Sequence, residues 1–402
     1  MTPWLTVVGI GEDGIDGLSA IARAALDDAE ILVGGERHLA MIADDDRPRI
    51  TWGRPLSSTI EQIQDQRGHA VTVLATGDPM WYGIGATLCR NIEPAELRII
   101  PAPSAFSLAA GRLGWPLADT ECLTIHGRAI ERVRYFLAPD AKLIILSNDG
   151  NSPADICKIL CDTGYEDSRV NVLTHMSGPL EEIITASAKD WDNFDVADLN
   201  TIAVHCIAGS KTKVFSHTPG LPDEAFHHDG QLTKREIRSA TMAALSPLPG
   251  QLLWDVGAGC GSIAIEWMRS SPRVRAIALE QNGERLAMIR DNALALGVPD
   301  LEVVEGSAPD ALKEFDKPDA VFIGGGLAAD GLIETCWSAL KPGGRLVANS
   351  VTFEGEQKLI NWAEETGGEL VRFEISRSKK VGKFTGWEPM KPVTQLRATK
   401  DE

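Results

Sequence analysis

The run Trp254-Asp255-Val256-Gly257-Ala258-Gly259-Cys260-Gly261-Ser262 ends an apolar stretch, 252–256, and opens a helix-forming one, 262–269. Glycines at every second position let the backbone turn tightly and come close to a ligand at a helix N-terminus, where free N–H groups face outward. A dinucleotide-binding turn has its third glycine one place later. The spacing here, after an acidic residue, suits a ligand without a pyrophosphate. Glu280 closes the next strand-like run, 276–280, where a carboxylate can accept hydrogen bonds from both hydroxyls of a ribose. Gly306-Ser307-Ala308-Pro309 follows the run 301–305 and can bracket a flat base, and Phe322-Ile323-Gly324-Gly325-Gly326 closes the run 320–323. One such turn is as well explained by a tight loop. Four at successive strand tips argue for a site, because open parallel sheets bind ligands along that edge.

Outward from this run, short β-branched stretches alternate with helix-length amphipathic ones, the pattern of α/β folds. After a helix over 233–245, the second half predicts strands at 252–256, 276–280, 301–305, 320–323 and 345–348. Two more, 369–376 and 393–398, follow with a glycine-containing loop between them and are expected to pair antiparallel. The result is a Rossmann-like, seven-stranded sheet with one reversed edge. The first half predicts strands at 6–10, 31–33, 70–75, 97–100, 142–146, 169–173 and 202–207, with helices over 19–29, 83–92 and 152–161. Ser216-His217-Thr218-Pro219-Gly220-Leu221-Pro222-Asp223 breaks the periodicity. The expected division is therefore a domain of residues 1–215, a linker of 216–228 and a domain of 229–402.

The 402 residues are the expected length of two domains. The net charge is −18, split as −12 over residues 1–220 and −6 over the rest. So acidic a body repels a phosphate backbone, which argues against nucleic acid but leaves room for a small anion held by local basic groups. Seven scattered cysteines without a CxxC pair suit a reducing cytoplasm, and no metal set is expected. No apolar run is long enough for a membrane span.

The second domain resembles the class I S-adenosylmethionine-dependent methyltransferases: Asp255, Gly257, Gly259 and Gly261 match the first motif of that family and Glu280 its ribose-binding acid. The resemblance implies cofactor contacts from Gly306, Ser307, Ala308 and Gly324, the last offering a flat floor beside the sulfonium. Upstream, Asp229-Gly230-Gln231-Leu232-Thr233-Lys234-Arg235-Glu236-Ile237-Arg238 enters a helix, with Thr233 as its expected N-cap and Glu236 completing a capping box. This entry segment is similar to that of the precorrin decarboxylating methyltransferases of cobalamin biosynthesis.

In the first domain, Gly9-Ile10-Gly11-Glu12-Asp13-Gly14 formally matches a dinucleotide fingerprint. Glu12 and Asp13 would repel a pyrophosphate, and no acid closes the second strand. Gly77-Asp78-Pro79-Met80 after 70–75, and Pro101-Ala102-Pro103-Ser104 after 97–100, bring two further loops to the sheet edge that carries Gly9 and Gly11. This arrangement resembles the bilobal tetrapyrrole (class III) methyltransferases. It implies a second S-adenosylmethionine site formed by Gly9, Gly11, Gly77, Asp78, Pro79, Met80 and Ser104.

The two resemblances, in this order, imply a bifunctional enzyme of cobalamin biosynthesis. It would methylate a precorrin at carbon 5 in the first domain and carbon 15 in the second, remove the carboxyl of the carbon-12 acetate, and give precorrin-8X. One S-adenosylmethionine per domain, a polycarboxylate tetrapyrrole as substrate, and self-association into a homo-oligomer are the implied partners. Methyl transfer to an electron-rich macrocycle is chiefly a matter of orientation, and no residue is singled out as catalytic. Among basic clusters, Lys234 and Arg235 beside the cleft are the expected substrate contacts; Arg238, Arg377, Lys379, Lys380, Lys383, Arg112, Arg128, Arg132 and Arg134 are further candidates. Two other readings stay open: a methyltransferase pair acting on another tetrapyrrole or on RNA, and one domain serving as a non-catalytic S-adenosylmethionine sensor or assembly platform.

Overall fold

The structure, a computed structural model, describes residues 3–192 and 194–401. It divides into two compact units: the chain up to Ile130 with Phe136–Lys213, and Val214 onward with the short stretch Glu131–Tyr135.

The first unit has two lobes. In one, β1 (Leu5–Ile10), β2 (Ile31–Gly34), β3 (Arg49–Thr51), β4 (Val71–Thr76) and β5 (Leu97–Ile100) form a parallel sheet in the order β3-β2-β4-β1-β5. Alternate residues of β1 and β4 enter cores on opposite faces: Leu5, Val7, Val71 and Val73 on one, Val8, Ile10 and Leu74 on the other. A sheet covered on both sides needs apolar residues at every position, which is why these strands read as continuous apolar runs. The other lobe is a mixed sheet of β6 (Glu121–Thr124), β7 (Lys142–Leu146), β8 (Arg169–Thr174), β9 (Glu182–Ser187) and β10 (Asn200–His205), ordered β6-β7-β10-β8-β9. The sequence reading misses β3, β6 and β9. Two of these are three or four residues long, and β9 is a largely exposed edge strand.

The second unit carries the expected seven-stranded sheet. Strands β11 (Leu252–Val256), β12 (Arg275–Glu280), β13 (Glu302–Glu305), β14 (Ala320–Ile323), β15 (Arg345–Ser350) and β16 (Glu369–Phe373) are joined by the last strand. Between β16 and that strand lies an antiparallel hairpin of β17 (Ser376–Val381) and β18 (Phe384–Pro389), then β19 (Val393–Thr399). The order is β13-β12-β11-β14-β15-β19-β16. This corrects two expectations. The reversed strand, β19, sits one place in from the edge, between β15 and β16. The segment read as a loop before it is a hairpin.

The entry helix, expected over 233–245, runs Arg235–Leu245 with Lys234 at its N-cap and no side-chain cap. Thr233 is not its cap. The Arg235 N–H donates instead to Oδ1 of Asp223, at 2.9 Å. A carboxylate 12 residues upstream thus satisfies a donor that a capping box would have satisfied locally. Leu221 and Phe226, read as linker, are buried in the core of this unit.

Candidate functional site

In the second unit the C-terminal tips of β11, β12, β13 and β14 border a cleft of about 790 Å³. The turn after β11 needs glycine for two different reasons. A Cβ on Gly257 would lie 3.0 Å from the Cα of Gly325, so the loops after β11 and β14 meet backbone to backbone. Gly261, at φ +80°, is the left-handed N-cap of the helix Ser262–Ser270, and a Cβ there would meet the Ile289 side chain at 2.9 Å. Glu280, 6% exposed, is fixed by three backbone donors. Its Oε2 accepts the Gly259 N–H at 2.9 Å, and its Oε1 accepts those of Gln281 and Asn282 at 3.0 and 3.1 Å. The carboxylate therefore ties the glycine turn to the tip of β12 and stays at the wall of the cleft.

Of the residues read from sequence, Gly257, Gly259, Glu280, Gly306, Ser307, Ala308, Gly324 and Lys234 line this cleft. Asp255, Gly261 and Arg235 are not part of its lining. Arg235 is exposed on the first turn of its helix. Asp255 is buried beneath the turn, its Oδ2 accepting the Ala264 N–H at 3.0 Å while its Oδ1 has no partner. Burial pushes this carboxyl up to about 7. The folded chain then keeps a proton that the unfolded chain, at an ordinary 3.8, has released. Stability is accordingly expected to fall as pH rises from about 4 to about 7 and to level above that. Asp255→Asn should flatten this dependence in calorimetric unfolding; a slope equal to that of the parent would contradict the assignment.

Three of the basic candidates of this unit are engaged elsewhere. Arg238 is fully buried between Glu266 and Asp223, and Arg377 donates to Asp223 and Glu236 at 2.9 and 2.6 Å. Lys379 pairs with Glu388 across the hairpin. The sequence reading also passed over Asn349, at the tip of the next strand, β15, which lines the same cleft. Extending the strand-tip rule by one strand would have found it.

The first unit has its own cleft, of about 490 Å³, between its lobes. The three loops read from sequence contact one another beside it. The Gly77 N–H donates to the Ile10 carbonyl at 3.1 Å, and the Ala102 N–H to the Gly77 carbonyl at 3.2 Å. A Cβ on Gly9 would overlap that Gly77 carbonyl, so the crossing requires glycine. Asp78 and Ser104 line the cleft; Gly9, Gly11, Gly77, Pro79 and Met80 are outside its lining and shape the loops behind it. Ser104 caps the helix Ala105–Leu113 by accepting the Ser107 N–H at 3.1 Å. Trp81 both packs on Phe106, with ring centroids 4.9 Å apart, and lines the cleft. His38 lines it too, bonded to Thr76 at 3.0 Å; burial, helped by neighbouring Arg37, holds its imidazole down at about 4, hence neutral. Arg128 lies over the Tyr82 ring in this cleft, whereas Arg112 is paired with Glu181.

A glycine turn closed by a fixed acid at the tips of a 3-2-1-4-5-7-6 sheet defines the second unit as a class I methyltransferase domain. Residues 224–400 match the model described as "Precorrin methyltransferase domain", and residues 4–192 match "Tetrapyrrole (Corrin/Porphyrin) Methylases". Over its whole length the chain is 45% identical to the precorrin-6Y C(5,15)-methyltransferase [decarboxylating] of a Sinorhizobium species, covering 97% of that protein. Two shorter proteins each match less than half of it. A cobalt-precorrin-7 C(5)-methyltransferase of Salmonella typhimurium is 32% identical over 40% of this chain and 79% of its own. A Pyrobaculum calidifontis protein named "Probable cobalt-precorrin-6B C(15)-methyltransferase (decarboxylating)" is 34% identical over 44% of this chain and 93% of its own. The chain belongs to the precorrin-6Y C(5,15)-methyltransferase (decarboxylating) family.

Proposed function

We propose that the N-terminal domain methylates carbon 5 of a precorrin, and that the C-terminal domain methylates carbon 15 and removes the carboxyl of the carbon-12 acetate. The product is precorrin-8X, and each domain binds its own S-adenosylmethionine. The observation that carries this reading is the presence of two separate clefts at strand tips, one within each unit. Relatives named for a single methylation match less than half of the chain, in keeping with one activity per domain.

The residues of the second cleft fit an adenosyl ligand. The Gly257 turn gives a backbone cradle that a Cβ would fill, and the Glu280 carboxylate is held at the wall as a ribose acceptor. When bound, S-adenosylmethionine supplies an electrophilic methyl group. The chain's own work is to orient the macrocycle and to exclude water. Lys234 lines the cleft and offers a cation to a substrate carboxylate; Arg235 is left to the surface. Lys234→Ala is expected to raise the KM for the precorrin several-fold while leaving S-adenosylmethionine affinity unchanged. An unchanged KM would remove Lys234 from the substrate site.

The same reading has the enzyme act in the cytoplasm on a small tetrapyrrole and as a homo-oligomer. Phe384 and Trp387 on the β17–β18 hairpin, 79% and 77% exposed, are apolar surface suited to a second copy. Among the described residues no helix is long and apolar enough to cross a membrane. Titration of the full chain with S-adenosylmethionine by calorimetry tests the two-site reading. Two molecules per chain are expected; one would favour a single working site.

A further inference from the structure

The cleft of the second unit is also lined by Asn349 and Val351, at and just past the tip of β15, and by Met390, Lys391 and Val393 on the approach to β19. Asn349 is held in one orientation by a chain of hydrogen bonds that begins at an arginine. Arg397 has only donors, and its Nε donates to Oε1 of Gln395 at 2.7 Å. That fixes the Gln395 amide, which is 0% exposed, so its Nε2 faces Oδ1 of Asn349 at 2.9 Å and Oγ1 of Thr241 at 3.0 Å. Asn349 must then present its Nδ2 to Oγ1 of Thr241, at 3.0 Å. The amide is set at both ends, and one Nδ2–H remains, on a side chain that borders the cleft. A polar group whose rotamer and orientation are locked from behind is built to recognise something in front.

We infer that Asn349 donates this hydrogen bond to the carboxylate of the acetate arm that the C-terminal domain removes. The inference rests on the proposed function of that domain. Its argument is the neutrality of the group. A lysine or arginine on the departing carboxylate would stabilise the ground state and oppose the loss of its charge. A neutral amide orients the group at far less stabilisation, and the apolar side chains of Met390 and Val393 border the same cleft. Lys234 and Lys391, in the same cleft, serve carboxylates that are kept. In the step itself, the bond between the arm's methylene and its carboxyl carbon breaks and carbon dioxide leaves. The electron pair passes into the conjugated imine of the macrocycle, and a proton from water then completes the methyl group.

The test uses the full chain with a reduced precorrin and S-adenosylmethionine, products being resolved by mass. Asn349→Ala removes the donor while Gln395 keeps Thr241 as a partner. Asn349→Asp keeps the oxygen facing Gln395 and places an anion where the donor was. In both variants the ratio of carboxyl-retaining to decarboxylated product is expected to rise at least about 10-fold, the size of one lost hydrogen bond to a charged group. S-adenosylmethionine affinity is expected to stay at the parental value, and thermal unfolding to shift in Asn349→Ala by no more than the lost hydrogen bonds to Gln395 and Thr241 account for. A parental product ratio in both variants, from a wild type that releases carbon dioxide, would overturn the inference alone. So would variants that lose donor affinity or stability in proportion to activity, since that marks a structural part. A wild type that transfers methyl groups but releases no carbon dioxide would overturn the functional reading and the inference with it.

Discussion

Arg238→Ala is expected to destabilise the second unit by about 3–5 kcal/mol, the range for truncating one partner of a buried ion pair. The guanidinium is 0% exposed and donates to four acceptors. Nε donates to Oε1 of Glu266 at 2.6 Å, and Nη1 to the Thr233 carbonyl at 2.5 Å and to Oδ1 of Asp223 at 3.3 Å; Nη2 donates to the Leu221 carbonyl. Glu266 in turn accepts the N–H groups of Gly220 and Leu221 at 2.8 and 2.9 Å. Removing the arginine leaves Glu266, 1% exposed, without its ion-pair partner, and leaves Asp223, 10% exposed, with Arg377 alone. It also frees the chain from Gly220 to Thr233, whose last residues roof the cleft. The melting transition of this unit should drop by roughly 10 °C, at about 2–4 °C per kcal/mol for a unit of this size. Calorimetric unfolding is the measurement, and a loss below about 1 kcal/mol, as for a surface pair, would contradict the assignment.

Glu280→Gln is expected to weaken S-adenosylmethionine binding in the C-terminal domain by about 100-fold, although it changes one atom, since loss of hydrogen bonds to a charged group costs about 1.5–3 kcal/mol. Both carboxylate oxygens already accept backbone N–H groups, Gly259 on one side and Gln281 and Asn282 on the other. An amide has one oxygen and must turn its NH2 against a donor on one of those sides. The glycine turn or the tip of β12 then shifts, and an acceptor for the ribose is lost with it. In a calorimetric titration the stoichiometry should fall from two to one, while the N-terminal site keeps its affinity. Two sites of parental strength would show that Glu280 is not a ligand for the donor.

How much of this was legible in the sequence follows from how local each feature is. Strands β11 to β14 and their tips could be read because strand, turn and helix N-terminus lie within about a dozen consecutive residues, and each glycine answers a local steric demand. The same holds for Gly77 and Ser104, whose turn and helix cap are local. The glycines of the first unit build the crossing of its loops, and the cleft is lined by side chains from both lobes. Arg238 looked like a substrate contact because it stands beside Lys234 and Arg235. Its partners, Glu266 and Asp223, lie 28 and 15 residues away and are seen only once the helix Ser262–Ser270 packs alongside. Asn349 depends on Thr241 and Gln395, 108 and 46 residues distant. The β17–β18 hairpin stayed hidden because its strands are largely exposed on both faces, so no apolar alternation marks them.

On the proposed function, one chain holds two methyl-transfer sites, the second of which also decarboxylates. Incubation of the full-length protein with a reduced precorrin and isotopically labelled S-adenosylmethionine, followed by mass spectrometry of the macrocycle, tests it most directly. Two labelled methyl groups gained and one carbon dioxide lost per macrocycle are expected; a final product with a single added methyl group, or with two and every carboxyl retained, would contradict two methylating sites with decarboxylation at the second.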